Sequence, residues 1–145
     1  MPTWEATQTL RQQAESLEST NMDSLFPDRD YDFSAYFKRK HLTMYVLSGA
    51  QDQFLGFAII GHDAFLYELH ASSRRCGIGR ALLHHLLAAQ APGSRSLQAH
   101  VHTANEKALL FYKAMGFKAT AMLDHGHIQV MTYCRRTADS TARSL

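Results

Sequence analysis

A chain of 145 residues with 46% hydrophobic and 19% charged side chains has the composition of one folded domain, large enough to bury about two-thirds of its unfolded surface. Its formal net charge of +2 says little about partners, and its composition is not that of a nucleic-acid binder. No apolar run reaches the ~20 residues of a membrane helix, and the two cysteines, Cys76 and Cys134, make no disulfide framework. Such cysteine usage points to a reducing compartment, cytoplasm or nucleus.

In chain order, Pro2 to about Met22 reads as an amphipathic helix, with Trp4, Leu10, Ala14, Leu17 and Met22 close to one face. An acidic linker follows, in which Asp23, Asp28, Asp30 and Asp32 face a single Arg29. Phe33 to about Lys40 reads as a short helix. The period then changes to two, so Leu42–Leu47, Phe54–Ile60 and Phe65–Leu69 are expected as strands. The turn-like Ser48–Asp52 and Gly61–Asp63 are short enough for antiparallel hairpins.

Arg74-Arg75-Cys76-Gly77-Ile78-Gly79 lies between the third strand and a helix running to about Gln90, which Ala91-Pro92-Gly93-Ser94 stops. A strand, a glycine-bearing turn and a helix present free N–H groups to an anion, and the helix dipole favours negative charge there. Leu97–His102 alternates as a strand, and Asn105–Met115 reads as a helix with Gly116 at its left-handed cap. Lys118–Leu123 and Ile128–Tyr133 pair around Asp124–His127. Residues 1–136 form one domain, and 137–145 a polar tail. This order predicts an α/β fold, a mixed three-layer sandwich.

Two motifs stand in sequence, Arg74-x-x-Gly77-x-Gly79 and then Asn105-x-x-Ala108-x-x-Phe111-Tyr112-x-x-x-Gly116-Phe117. On these the chain resembles the GNAT acetyltransferase superfamily over nearly its whole length. The resemblance implies the three-layer, mixed-sheet GNAT acyl-CoA acyltransferase fold. It also implies a first strand ahead of the first helix, which this chain starts too late to supply. The activity implied is acetyl transfer from acetyl-CoA, as co-substrate, to an amine.

By the same resemblance, backbone N–H groups from Arg75 through Cys76, Gly77, Ile78 and Gly79 to Arg80 hold the CoA pyrophosphate. The strand near Leu69 and His70 pairs with the pantetheine arm. The sheet splays between that strand and Leu97–His102, with the thioester in the gap. Asn105 fixes the pantetheine end, and Tyr112 directs its hydroxyl at the departing sulfur as general acid. Arg74, Arg75 and Arg80 stand beside the phosphate, or are solvated charges. Asn105 reads equally as a helix cap, and Tyr112 as a core aromatic. Gly116 and Phe117 read as cap and core.

A narrower likeness is to the D-type protein N-terminal acetyltransferases, which act on the α-amine of histone tails. It rests on Leu17-Glu-Ser-Thr-Asn21-Met22 with the acidic linker, and on Tyr67-Glu68-Leu69. The pair stands closer to the glycine turn than in that family, and Phe65 occupies a place where a hydroxyl-bearing aromatic is expected. The likeness implies Glu68 as general base through a water, with Tyr67 positioning the peptide. A free α-amine has a pKa near ~7.7–8.0, so one carboxylate suffices to neutralise it, whereas lysine at ~10.4 needs a stronger base or desolvation.

Asp28 and Asp30 would attract a basic peptide, or serve as solvated, helix-capping residues. Among nine histidines no spacing supplies three or four converging ligands, so no metal is expected. His100 or His102, beside the splay, is a further candidate for proton removal. Cys76 reads as an oxidation-sensitive thiol beside arginines or as a small buried residue. The main motifs serve equally an acetyltransferase for lysine side chains or small-molecule amines, and a non-catalytic CoA-binding module.

Overall fold

The computed structural model describes residues 4–23, 25–26, 32–39, 41–61, 64–73, 77–89 and 96–134. The tail at 137–145, the helix stop at 91–94 and the centre of the turn at 61–63 lie outside them. Helix α1 spans Trp4–Met22 and turns Ala14, Leu17, Glu18 and Asn21, spaced as one helical stripe, toward the sheet. A 3-10 helix over Phe33–Lys38 begins at Asp32, whose Oδ1 accepts from Ser34 N and Oγ. That cap uses one of the linker aspartates for local structure. Phe33 is buried, edge-on to Phe57, Tyr36 and Phe37.

The strands are β1 (Leu42–Ser48), β2 (Phe54–Gly61), β3 (Phe65–Ala71), β4 (Ser96–His102), β5 (Lys118–Leu123) and β6 (Ile128–Cys134). They form one sheet in the order β1-β2-β3-β4-β6-β5, with only β3 and β4 parallel. Helix α2 (Ile78–Ala89) makes the crossover that a parallel pair requires. Helix α3 (Glu106–Ala114) ends at Gly116, where φ is +98°, and Phe117 N then donates to Tyr112 O.

Alternation along β4 is strict. Leu97, Ala99 and Val101 are buried with Leu83, Leu86 and Met131 on the side of α2 and α3. A second, smaller core lies under α1 and the 3-10 helix around Ala14, Phe33, Phe57 and Ile59. The sheet is thus the middle of three layers, the expected sandwich.

One irregularity decides where the chemistry can sit. Ile59 pairs with Glu68 but Ile60 with Leu66, so Tyr67 is an extra residue, a bulge in β3. Leu66 and Leu69 therefore both face the α2/α3 core, while Tyr67 packs on the α1 side. Strict alternation from Leu66 would turn the Glu68 carboxylate into apolar packing. The bulge keeps it on the α1 face, with His70 two residues on.

Candidate active site

β3 and β4 pair only at Phe65–Gln98 and Leu66–Ala99, with Gln98 N also donating to Ala64 O. From Tyr67 onward the two strands share no ladder, so the splay expected between them is present. The backbone edge of β3 at Leu69 and His70, expected to meet the pantetheine arm, faces this opening. Its other edge is closed against β2 so tightly that a Cβ on Gly56 would stand 2.5 Å from His70 O.

At the start of α2, Gly77 has φ +76°, a conformation that glycine adopts without strain. The first helical bond runs from Ala81 N to Gly77 O, so the N–H groups of Ile78, Gly79 and Arg80 precede any intrahelical acceptor. A Cβ on Gly79 would stand 3.1 Å from Phe111 Cζ, so α2 starts hard against α3. Amides that precede the first helical bond, beside a strand edge with no ladder partner among the described residues, fit a phosphate joined to an extended, amide-bearing arm. Arg74, Arg75 and Cys76 lie outside the described residues.

On the α1 face, Glu68 and His70 together join β3 to the 3-10 helix and to α1. Tyr36 Oη donates to Oε2 at 2.8 Å, and His70 Nε2 meets Oε1 at 2.7 Å. Asn21 Nδ2 meets His70 Nδ1 at 3.1 Å. The imidazole stacks on Phe57, with ring centroids 5.3 Å apart; His70 is 8% exposed and the Glu68 side chain 12%. Tyr67 lies beside Tyr36, and the Arg39 guanidinium sits over its ring and donates to its hydroxyl at 3.3 Å. A cavity of about 280 Å³, lined by Arg11, Arg39, Met44 and Ile59 among others, borders this network through Tyr36.

Tyr112 is buried on the opposite, α3 side, against Phe117 and Phe111. Burial, reinforced by the negative charge of Glu68, pushes its hydroxyl well above the ordinary phenol value. It is therefore a protonated group throughout the neutral range. Asn105 caps α3, its Oδ1 accepting from Ala108 N at 3.3 Å. The cap reading of Asn105 is thus realised, and it leaves Nδ2 to point elsewhere. Asp28 and Asp30 lie outside the described residues. His100 packs edge-on to Phe65, and His102 between Phe26 and His127.

Sequence reasoning missed Asn21 and Tyr36, and read His70 only as backbone. These contacts join residues 49 and 32 positions apart, which no local spacing encodes. The one usable signal was the polar pair Glu18 and Asn21 on the buried stripe of α1.

A family model described as "Acetyltransferase (GNAT) family" matches residues 5–117. The peptidyl-lysine N-acetyltransferase YjaB of Escherichia coli is 36% identical over 78 residues, 53% of this chain and 50% of that protein. The chain thus matches about half the length of this curated relative. Among solved structures, a GNAT-family acetyltransferase of Staphylococcus aureus superposes with TM-score 0.71 at 10% identity, covering 88% of this chain and 94% of the other. The PaiA N-acetyltransferase of Thermoplasma acidophilum, in complex with coenzyme A, gives 0.68 at 17% identity, covering 90% and 93%. Both likenesses are of fold.

Proposed function

Because the chain belongs to the acetyltransferase (GNAT) family, we propose that it transfers an acetyl group from acetyl-CoA to a peptide amine, the α-amine of a protein amino terminus. The observation that carries this reading is a hydrogen-bonded carboxylate, Glu68, on the strand that borders the sheet opening. Acetyl-CoA supplies the activated acyl group. Ile78, Gly79 and Arg80 would hold its pyrophosphate through their N–H groups, and the free edge of β3 its pantetheine arm.

An amine attacks only when neutral. Glu68 receives the proton lost from nitrogen, directly or through one water, as the carbon–nitrogen bond forms and the carbon–sulfur bond breaks. Tyr112, held protonated by burial, donates to the departing sulfur. Tyr67 and Tyr36 flank the carboxylate on the side from which the acceptor would approach. The α-amine is favoured because a fair fraction of it is already neutral near pH 7, whereas lysine is almost wholly charged.

The narrower form of this reading is a basic, histone-like amino terminus drawn by Asp28 and Asp30. A second reading, a lysine side-chain acceptor, is favoured by the similarity to a protein named as a peptidyl-lysine N-acetyltransferase. Labelled acetyl-CoA offered to peptides with free or blocked amino termini, with and without lysine, separates them. Label on free, lysine-free peptides is expected. Label confined to blocked, lysine-bearing peptides would replace the α-amine with lysine. Coenzyme A binding without transfer to any amine would reduce the protein to a binding module.

A further inference from the structure

We infer that Asn21 and His70 are positioning residues for the Glu68 base: the Asn21 amide fixes the imidazole in its neutral Nε2–H tautomer, and that N–H fixes the carboxylate. The inference rests on the proposed role of Glu68 and adds two residues to it.

The two hydrogen bonds agree on one protonation pattern. An amide nitrogen has only hydrogens to give, so Asn21 Nδ2 at 3.1 Å requires a lone pair on His70 Nδ1. A carboxylate has only lone pairs, so Oε1 at 2.7 Å requires the proton on Nε2. The ring cannot swing away, because it is buried and stacked on Phe57. Around the pair, α1 contributes Asn21 and, one turn earlier, the buried Glu18; β2 contributes the uncharged Phe57. The 3-10 helix contributes the Tyr36 hydroxyl to Glu68, and α3 contributes Tyr112, which feels the same carboxylate.

This arrangement settles which group takes the proton. An imidazole with a free Nδ1 lone pair would compete for the amine proton, and as imidazolium it would hold Glu68 in its charged form. With Nδ1 occupied, the proton passes from nitrogen to a Glu68 oxygen while the electron pair stays on nitrogen for the new bond. The logic is that of base, orienter and third group, with a carboxylate in the place of the base. A merely structural role, pinning α1 to β3, would use the same bonds but would leave the pH profile alone.

The test combines imidazole nitrogen NMR with the pH dependence of kcat, measured with acetyl-CoA and the best acceptor of the peptide panel above. The NMR spectrum of the unaltered protein should show His70 as the Nε2–H tautomer; an Nδ1–H tautomer overturns the inference. Glu68→Gln identifies the acidic limb that belongs to the base, since that limb should vanish. If Glu68→Gln instead keeps full kcat and an unchanged limb, the base reading itself fails and takes this inference with it.

Given that limb, His70→Leu should raise its midpoint by about one pH unit, because the bond to the charged carboxylate is gone, and lower kcat about tenfold or more. His70→Gln, whose amide can still donate to Oε1, should keep the midpoint and recover most of the rate. Asn21→Asp should convert His70 to the imidazolium and lower the midpoint. Rates that fall in step with thermal stability while the midpoint stays fixed in all three variants would leave only the structural role and overturn the inference.

Discussion

The two edges of β3 are built for different purposes. Toward β2 the strand pairs at five positions, from Gly56–Ala71 to Ile60–Leu66, and the backbones approach closely enough to require a glycine. Toward β4 it pairs at two and then stands open. The closed edge holds the fold, and the open edge, beyond its ladder with β4, lies beside a helix N-terminus. The bulge at Tyr67 stands between the two: it falls where the β4 ladder stops, and it turns Glu68 onto the α1 face. Backbone on the open edge and side chains on the α1 face thus meet at one strand.

The largest expected effect concerns the chemistry at the opening. Tyr112→Phe should lower kcat by on the order of a hundredfold or more, with little change in KM for acetyl-CoA. Unchanged turnover would remove the acid from the open side. The same variant carries a stability signature. Because the phenol is raised above its ordinary 10.0, its stabilising contribution is fully present below pH 10 and is lost as pH climbs past that value toward the folded-state one. Thermal unfolding of the parent should therefore steepen its decline above about pH 10, and Tyr112→Phe should lack that added decline.

Gly56→Ala attacks the closed edge. Its Cβ meets backbone, which cannot give way like a flexible side chain, so a loss of about 2–3 kcal/mol in unfolding free energy is expected. Gly77→Ala attacks the open one. Nothing stands within 4 Å of its Cβ, so only the positive φ is penalised, by about 1 kcal/mol. The more telling readout there is a severalfold rise in KM for acetyl-CoA at nearly constant kcat. Equal stability losses with no KM effect at Gly77 would erase the contrast between the edges.

The smallest expected effect is at Asn105. Losing the α3 cap through Asn105→Ala should cost about 1 kcal/mol of stability. A rise in KM for acetyl-CoA beyond that seen for Gly77→Ala would show that its Nδ2 also holds the pantetheine end.

Much of this division was legible in the sequence, because it is written locally. Period-two runs marked the strands, Gly116 marked a left-handed cap, Gly77 marked the turn into α2, and Leu97, Ala99 and Val101 alternated without a break. The family followed from two motifs of fixed spacing. Candidate residues were nameable where a motif carried them, as with Tyr112, and hidden where the fold assembles the neighbourhood, as around Glu68. Nothing near Glu68 and His70 announces that Tyr36 will reach the one and Asn21 the other, since those contacts exist only once α1 and the 3-10 helix lie across the sheet. The bulge at Tyr67 was equally hidden: one added residue reverses the side on which every later side chain lies, yet leaves the pattern of residue types unremarkable.

The division between the edges is tested most directly by backbone hydrogen exchange with and without coenzyme A. Slowed exchange in residues 67–71 and 78–80, with Phe54–Gly61 already protected in both states, is the expected result. Protection by coenzyme A that falls elsewhere, leaving 67–71 exchanging as before, would contradict the assignment of the open edge to the donor.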